Sequence, residues 1–189
     1  AMILVHGRGA NAADILSLAQ YFGRPDIAYL APEAAGHAWY PNRFMVPVEQ
    51  NEPHLSSALG VLAGLLDRTG AAGLPPERVF LLGFSQGACL ALEFAARNPR
   101  RYGGVAALSG GLIGDAVAPE NYQGSLAGTP VFLGCSDIDP HIPLARVKES
   151  SAVTKALGGA VTERIYPGMG HTVTGDEVEE VRTILSALT

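Results

Sequence analysis

The fold of this chain is decided by one stretch, Val79-Phe80-Leu81-Leu82-Gly83-Phe84-Ser85-Gln86-Gly87-Ala88. Its four leading apolar residues predict a strand that is buried on both faces of a sheet. The strand runs into a Gly-x-Ser-x-Gly pattern, with an alanine- and leucine-rich helical pattern behind it. This arrangement is typical of a nucleophile elbow, a tight strand-to-helix turn that lifts a serine hydroxyl above the sheet. A glycine-rich turn with an inert serine is the alternative, but the flanking strand and helix favour the elbow.

Outward from the elbow, apolar runs and helical patterns alternate along the chain. The apolar runs predict further strands at 1–5, 27–31, 105–108, 131–133 and 161–166. Apolar residues at helical spacing predict helices between the strands, among them 53–72, 143–157 and 176–188. This alternation predicts an α/β fold with a mainly parallel sheet of about six strands and helices on both faces.

The composition fits a single domain over residues 1–189, because 48% of the residues are hydrophobic and only 16% are charged. A net charge of −5 without a basic cluster argues against a nucleic-acid partner. The sequence shows neither a signal-peptide pattern nor an apolar run of membrane length, so we expect a cytoplasmic protein without a membrane span. The first residues already look like a strand, and we expect that further residues precede Ala1.

A serine hydroxyl needs a base within hydrogen-bonding distance, and that base needs an acid that fixes its tautomer. In elbow hydrolases the order along the chain is serine, acid, histidine. His171 lies downstream in the loop 166–171, whose glycines let the imidazole reach across the sheet edge. His141 is the competing histidine, but it shares a short loop with the candidate acids and would have to face both them and Ser85. We therefore predict His171 as the base.

The acid of the triad is expected in the loop that follows the strand at 131–133. Asp137 and Asp139 compete there. Asp139 precedes a proline and lies close to a fixed turn, whereas Asp137 is expected to accept hydrogen bonds from the amides of its own loop. We therefore predict Asp139 as the acid. Asp115 and Glu120 follow a different strand and are expected to be solvated loop charges.

Acyl transfer also needs an oxyanion hole, in which backbone N–H groups stabilise charge that develops on the carbonyl oxygen. The amide of Gln86 is one predicted donor, since it follows the nucleophile at the positive end of a helix. The amide of Arg8, in the glycine-rich loop after the first strand, is the other. If the first strand lies between the second and the third, this loop adjoins the elbow at a topological switch point. The Arg8 side chain is expected to be solvated, and His6 to brace the loop.

With these residues in place, the chain resembles the phospholipase/carboxylesterase family of α/β-hydrolases, which includes acyl-protein thioesterases and small bacterial carboxylesterases. The elbow Gly83–Gly87 matches the family's Gly-Phe-Ser-Gln-Gly motif, and the segments 137–143 and 166–171 are similar to its acid and histidine loops. The resemblance spans nearly the whole chain. It implies hydrolysis of carboxylic esters or thioesters without a metal or organic cofactor, and an initial strand of the fold that is missing from this chain.

The loop after the second strand bears on the expected substrate. Acyl-protein thioesterases carry a longer, methionine-rich apolar segment there to house a fatty chain, whereas this chain has the shorter segment 34–41. Trp39 and Tyr40 in this segment either wall a compact pocket or pack on the sheet edge as exposed aromatics. We predict a serine carboxylesterase that cleaves small to medium acyl esters through an acyl-enzyme. Lysophospholipase and acyl-protein thioesterase activities are alternatives that the short loop disfavours.

Two further classes of function compete with this prediction. Dienelactone hydrolases and similar lactone hydrolases resemble this fold, but they use a cysteine at the elbow, where this chain has Ser85. A non-catalytic binding module commonly lacks a triad residue, and all three candidates are present here.

The expected partner is a small-molecule ester; the sequence leaves the oligomeric state open and is compatible with a homodimer. Cys89 and Cys135 have no metal-ligand or CxxC spacing, and we expect both thiols to be buried and unpaired.

Overall fold

The computed structural model describes residues 1–188, which contain a six-stranded sheet. The strands are β1 (Met2–Val5), β2 (Tyr29–Leu30), β3 (Phe80–Phe84), β4 (Gly104–Leu108), β5 (Pro130–Ser136) and β6 (Ala160–Tyr166). Neighbouring strands pair in parallel throughout, in the spatial order β2-β1-β3-β4-β5-β6. The predicted α/β fold with a parallel sheet is therefore confirmed.

The second strand is shorter than the prediction of 27–31, because only Tyr29 and Leu30 pair with β1. β2 lies at the edge of the sheet and has β1 as its neighbour on one side only. Pro32 follows shortly afterwards and has no N–H to donate to a strand ladder, which limits how far the pairing can continue.

Within residues 1–188, six α-helices connect or follow the strands. They are α1 (Ala12–Leu16), α2 (Ala19–Phe22), α3 (His54–Ala71), α4 (Gln86–Arg97), α5 (Leu144–Ala156) and α6 (Gly175–Ser186). Asn11 caps α1, since its side chain accepts a hydrogen bond from the amide of Asp14. Among residues 1–188, none of these helices combines the length and the apolarity needed to span a bilayer.

Helices cover both faces of the sheet, as the sequence pattern predicts. Successive residues of a strand point to opposite faces, and Leu81 of β3 accordingly joins the core beneath α3, α4 and α5. Phe80 joins the second core, which α1, α2 and α6 cover. Within α4, every residue from Gln86 to Ala96 is buried, so the helix that follows the elbow lies in the centre of the larger core.

The strand order creates the expected switch point at β1, which lies between β2 and β3. Val5 pairs with Gly83 where β1 and β3 approach their carboxyl ends. The loop after β1 therefore begins beside the elbow, which is where open α/β sheets form their sites.

Two glycines permit the close packing of the elbow. A Cβ on Gly83 would lie 2.1 Å from the carbonyl oxygen of Gly87, and a Cβ on Gly87 would lie 2.1 Å from the carbonyl oxygen of Val5. Gly83 thus makes room for the turn itself. Gly87 has a different role, since its missing side chain lets α4 approach the backbone of β1.

We expect Gly87→Ala to lower the free energy of unfolding by about 3 kcal/mol, because the new methyl group would force α4 and β1 apart in a close-packed core. Urea unfolding followed by circular dichroism measures this change. Gly64→Ala is the matched control, since Gly64 is an exposed residue of α3 with no atom within 4 Å of a built Cβ. That substitution is expected to stabilise the protein by about 0.5–1 kcal/mol. Equal unfolding midpoints for Gly87→Ala and the unsubstituted protein would contradict the prediction.

Candidate active site

Ser85 occupies the turn between β3 and α4 in a strained conformation. Its backbone has φ 56° and ψ −121°, in the positive-φ region that residues with a side chain rarely adopt. The amide of Ser85 donates to the carbonyl oxygen of Leu108 at 3.0 Å, which holds the turn against β4. Strain of this kind costs roughly 1–3 kcal/mol and is concentrated at functional sites.

His171 lies within hydrogen-bonding distance of the elbow serine. Its Nε2 is 2.8 Å from Oγ of Ser85, and its ring centroid is 4.9 Å from that of Phe84, the residue before the serine. The side chain of His171 retains 18% of its accessible surface. The loop after β6 therefore carries the imidazole across the sheet edge to the elbow, in the position that the sequence predicts for a base.

Asp139 completes a chain of three side chains. Its Oδ2 is 2.7 Å from Nδ1 of His171, and its side chain has no accessible surface. The other oxygen, Oδ1, accepts hydrogen bonds from the amides of His141 at 2.8 Å and Ile142 at 3.0 Å. The carboxylate is thus fixed on one side by the backbone of its own loop and on the other side by the imidazole.

Two opposing effects act on the pKa of Asp139. Burial is the larger single effect and would raise the pKa, because it disfavours the charged form. The hydrogen bonds from His171 and from the two loop amides act together in the other direction and hold the pKa of Asp139 below its usual value. The group therefore stays ionised beside the imidazole at neutral pH.

The residues considered as alternatives for the base and the acid lie outside the contacts that join Ser85, His171 and Asp139. Asp137 was expected to accept from the amides of its own loop, but its Oδ1 accepts from the amide of Gly168 in the histidine loop at 2.8 Å, and the amides of the acid loop bind Asp139 instead. The exposed ring of His141 lies edge-on to His171, with the centroids 4.9 Å apart. Asp115 and Glu120 are exposed. The structure thus brings Ser85, His171 and Asp139 together and leaves the four alternatives outside this chain of hydrogen bonds.

The glycine-rich loop after β1 lies against the elbow. A Cβ built on Gly7 would be 3.3 Å from Cβ of Ser85, and the next residue, Arg8, lines the same cavity as the serine. Gln86 also lines this cavity and is the first residue of α4, so its amide has no acceptor within the helix. The two residues predicted to supply oxyanion donors therefore flank Ser85.

The side chain of Arg8 is exposed, as expected, but it also donates hydrogen bonds to backbone carbonyl oxygens, and so does the side chain of Gln86. The Arg8 guanidinium donates to the carbonyl oxygens of Tyr40, Pro41 and Asn42 at 2.8, 3.1 and 2.8 Å. Gln86 Nε2 also donates to the carbonyl oxygen of Tyr40, at 2.9 Å. We call these contacts the carbonyl clamp. They attach segment 40–42 to the glycine-rich loop through Arg8 and to the elbow through Gln86.

A cavity of about 270 Å³ opens beside Ser85. Its apolar lining consists of Tyr40, Phe44, Cys89 and Ile142, and its polar lining includes Asn42, Arg43 and His141. The sequence pattern did not single out Phe44 or Ile142 for this role. Both are buried, which is typical of core residues, and only the folding of two separate loops brings them to the elbow.

Trp39 and Tyr40, predicted as alternatives between pocket wall and exposed aromatics, take separate positions. Both are buried, with 5% and 1% of their surface exposed, so neither is an exposed aromatic. Tyr40 lines the cavity, but Trp39 does not. The Trp39 indole donates to the carbonyl oxygen of His6 at 2.9 Å and lies behind the glycine-rich loop. Adjacent residues in this segment point in different directions, which explains why only one of them reaches the cavity.

His6 braces the loop, as expected. Its ring is fully buried; Nε2 accepts from the amide of Ala34 at 3.0 Å, and Nδ1 lies 2.7 Å from the carbonyl oxygen of Gly7.

The two cysteines are buried and unpaired, which confirms the prediction for them. Burial raises the pKa of both Cys89 and Cys135 to about 12, so Cys89 is a neutral thiol in the cavity wall.

The chain is similar to several known proteins over most of its length. A family model described as Phospholipase/Carboxylesterase matches residues 1–189. The chain is similar to acyl-protein thioesterase 1 of Saccharomyces cerevisiae, with 28% identity over 207 residues that cover 97% of this chain and 90% of that protein. It is also similar to acyl-protein thioesterase 1 of Gibberella zeae, with 35% identity over 119 residues, 60% of this chain and 49% of that protein. The second match thus spans about half the length of the Gibberella zeae protein.

A solved structure is similar over nearly the whole chain. It is a protein of Dyadobacter fermentans described as a phospholipase/carboxylesterase, with 46% identity and a TM-score of 0.95. The superposition covers 98% of this chain and 89% of the other. The similarity is therefore one of the fold as a whole.

Proposed function

Since this chain belongs to the phospholipase/carboxylesterase family of α/β-hydrolases, we propose that it is a serine carboxylesterase acting on small to medium acyl esters. Membership of the family makes the chain a carboxylic ester hydrolase. The observation that carries the mechanistic part of the proposal is the unbroken contact from Asp139 through His171 to Ser85, with distances of 2.7 and 2.8 Å.

In the proposed acylation step, Oγ of Ser85 attacks the ester carbonyl carbon while Nε2 of His171 takes the hydroxyl proton. Asp139 keeps the proton on Nδ1 and stabilises the imidazolium that forms. The amides of Arg8 and Gln86 donate hydrogen bonds to the oxyanion. The tetrahedral intermediate then collapses, the carbon–oxygen bond to the alcohol breaks, and His171 returns the proton to the leaving alcohol.

In the proposed deacylation step, water takes the place of the alcohol. His171 removes a proton from this water, and the resulting hydroxide attacks the acyl carbon of the acyl-enzyme. Collapse of the second intermediate releases the carboxylic acid and restores the hydroxyl of Ser85 as His171 gives the proton back. Every proton is exchanged through the same imidazole nitrogen, so the step needs no further titratable group.

The size of the cavity supports the proposed substrate range. Its volume of about 270 Å³ lies at the small end of ligand sites, which suits a short or medium acyl group rather than a long fatty chain. Each methylene that the cavity buries is expected to stabilise the bound ester by about 0.8 kcal/mol. This corresponds to an increase of about fourfold in kcat/KM. Along a series of para-nitrophenyl esters from acetyl to palmitoyl, kcat/KM is therefore expected to rise, level off and then fall. Matched thioesters in the same series measure the preference between oxygen and sulfur leaving groups.

Covalent labelling tests the nucleophile directly. A neutral fluorophosphonate is expected to add one phosphonyl group to the folded protein, and peptide mass spectrometry is expected to locate it on Ser85. The unfolded protein in urea is the control, because its serine lacks a base and remains unlabelled. A phosphonyl group on any other residue, or none at all, would contradict the proposed function.

A further inference from the structure

Two arginines line the cavity beside Ser85, whereas the carboxylate of Asp139 lies behind His171 and outside the cavity lining. Arg8 and Arg43 both contribute to its lining, and within residues 1–188 no aspartate or glutamate does so. The chain as a whole has a net charge of −5. The charged residues that line the cavity thus differ in sign from the net charge of the chain, and a substrate in the cavity would meet two arginines and no carboxylate in its lining.

The backbone that carries Arg43 is held in place residue by residue. The amide of Asn42 donates to Oδ1 of Asn51 at 2.8 Å, and the carbonyl oxygen of Arg43 accepts from Nδ2 of Asn51 at 3.1 Å. The carbonyl oxygen of Phe44 accepts from the amide of Gly114 at 2.8 Å. Asn51 itself is fully buried. Arg43 therefore extends from an ordered backbone, so ligand binding would have to order only its side chain.

The guanidinium of Arg43 has no partner of its own in the described part of the chain. It is exposed, and it forms no ion pair with any carboxylate there. Arg8 differs, since its guanidinium is engaged by three carbonyl oxygens in the carbonyl clamp. A guanidinium offers five N–H donors in a planar fork that matches the oxygens of a carboxylate or a phosphate. Arg43 is thus the group in the cavity wall that is available to bind an anion.

We propose that Arg43 binds a carboxylate or phosphate group of the substrate, so that the preferred substrates are esters with an anionic group in their acyl or alcohol part. This inference rests on the proposed esterase function of Ser85. Phe44 and Ile142 contact the uncharged part of the ester, while Arg43 forms a charge-assisted hydrogen bond with its anionic group. Because Arg43 is exposed, salt weakens this attraction.

Pairs of esters that differ only in charge test the inference. para-Butyryloxybenzoate and para-butyryloxybenzamide place a carboxylate or a neutral amide on the alcohol part. The phenyl monoester of adipic acid and its monoamide place the same two groups on the acyl part. para-Butyryloxyphenyl phosphate supplies the phosphate, and para-butyryloxybenzamide serves as its neutral counterpart as well. The measured quantity is the ratio of kcat/KM for the anionic ester to that for its neutral counterpart, in Arg43→Gln and in the unsubstituted protein.

We expect Arg43→Gln to lower this ratio about tenfold for at least one anionic ester, mainly through KM. The intrinsic reactivity of the esters cancels, because the same pair is compared in each protein. Arg43→Lys is expected to retain an intermediate ratio. Arg68→Gln is the matched control, since it removes the same charge from an exposed position of α3 outside the cavity and is expected to leave the ratio unchanged.

Each outcome has a distinct meaning. A drop restricted to the carboxylate or to the phosphate ester supports the inference and identifies the anion. Identical ratios in Arg43→Gln and the unsubstituted protein for every pair would overturn it. Fluorophosphonate labelling of Ser85 in the same preparations separates this result from a failure of the esterase function itself, because the neutral probe does not depend on an anionic group.

Discussion

Replacing Ser85 with alanine is expected to lower kcat/KM for a short aryl ester by about 10⁵- to 10⁶-fold. The hydroxyl is the only group within hydrogen-bonding distance of Nε2 of His171 among residues 1–188 that can attack an acyl carbon. The cavity, the oxyanion donors and the loops are unaffected by the change, so the remaining rate reports what binding alone achieves. Initial rates with para-nitrophenyl butyrate measure the loss.

Stability measurements keep this prediction separate from unfolding. Ser85→Ala retains a side chain at φ 56° and is expected to unfold at the same urea concentration as the unsubstituted protein. Ser85→Gly relieves the positive-φ strain and is expected to be more stable by about 1 kcal/mol, although it is equally inactive. An active Ser85→Gly protein would show that another residue is the nucleophile.

The second large effect is expected for Asp139→Asn, which should lower kcat by about 10⁴-fold. Oδ1 of Asp139 accepts from two backbone amides, so the amide oxygen of asparagine will occupy that side. Its NH₂ group then faces Nδ1 of His171 and requires that nitrogen to accept a hydrogen bond. The imidazole proton moves to Nε2, where it points at Ser85 and prevents the histidine from acting as a base.

Asp137→Asn is the matched control, because it makes the same chemical change two residues away. Oδ1 of Asp137 accepts from the amide of Gly168, and an asparagine oxygen can accept the same hydrogen bond. We expect kcat to fall by less than about tenfold, since the tautomer of His171 is not affected. If instead Asp137→Asn were the more damaging change, Asp137 would be the acid and the proposed arrangement would be wrong.

The sheet could be predicted because its signals are local. Buried parallel strands appear as short apolar runs, and the elbow motif fixes where one strand ends and a helix begins. The position of β1 between β2 and β3 was only a condition for bringing the glycine-rich loop to Ser85, and the observed strand order meets it. β2 was overestimated, because the apolar run at 27–31 does not reveal that only two of its residues find a partner.

The cavity wall could not be predicted in the same way. Phe44 and Ile142 come from loops that are almost a hundred residues apart, and no sequence period connects them. The Arg8 side chain is exposed, as expected, but its three hydrogen bonds to carbonyl oxygens could not be predicted. Every residue has a carbonyl oxygen, so the residue types do not indicate which carbonyl oxygen will accept a hydrogen bond from an arginine.

The carbonyl clamp has a consequence for how the selectivity of such an enzyme can be altered. Arg8 and Gln86 supply the proposed oxyanion amides, and their side chains grip segment 40–42. A substitution in that segment which moves its backbone would therefore disturb turnover together with substrate choice. Phe44 also lines the cavity, but it has no hydrogen bond to Arg8 or Gln86, whereas the amide of Ile142 holds Asp139. Libraries that aim at new acyl preferences will retain more active members when they vary Phe44 and leave 40–42 intact.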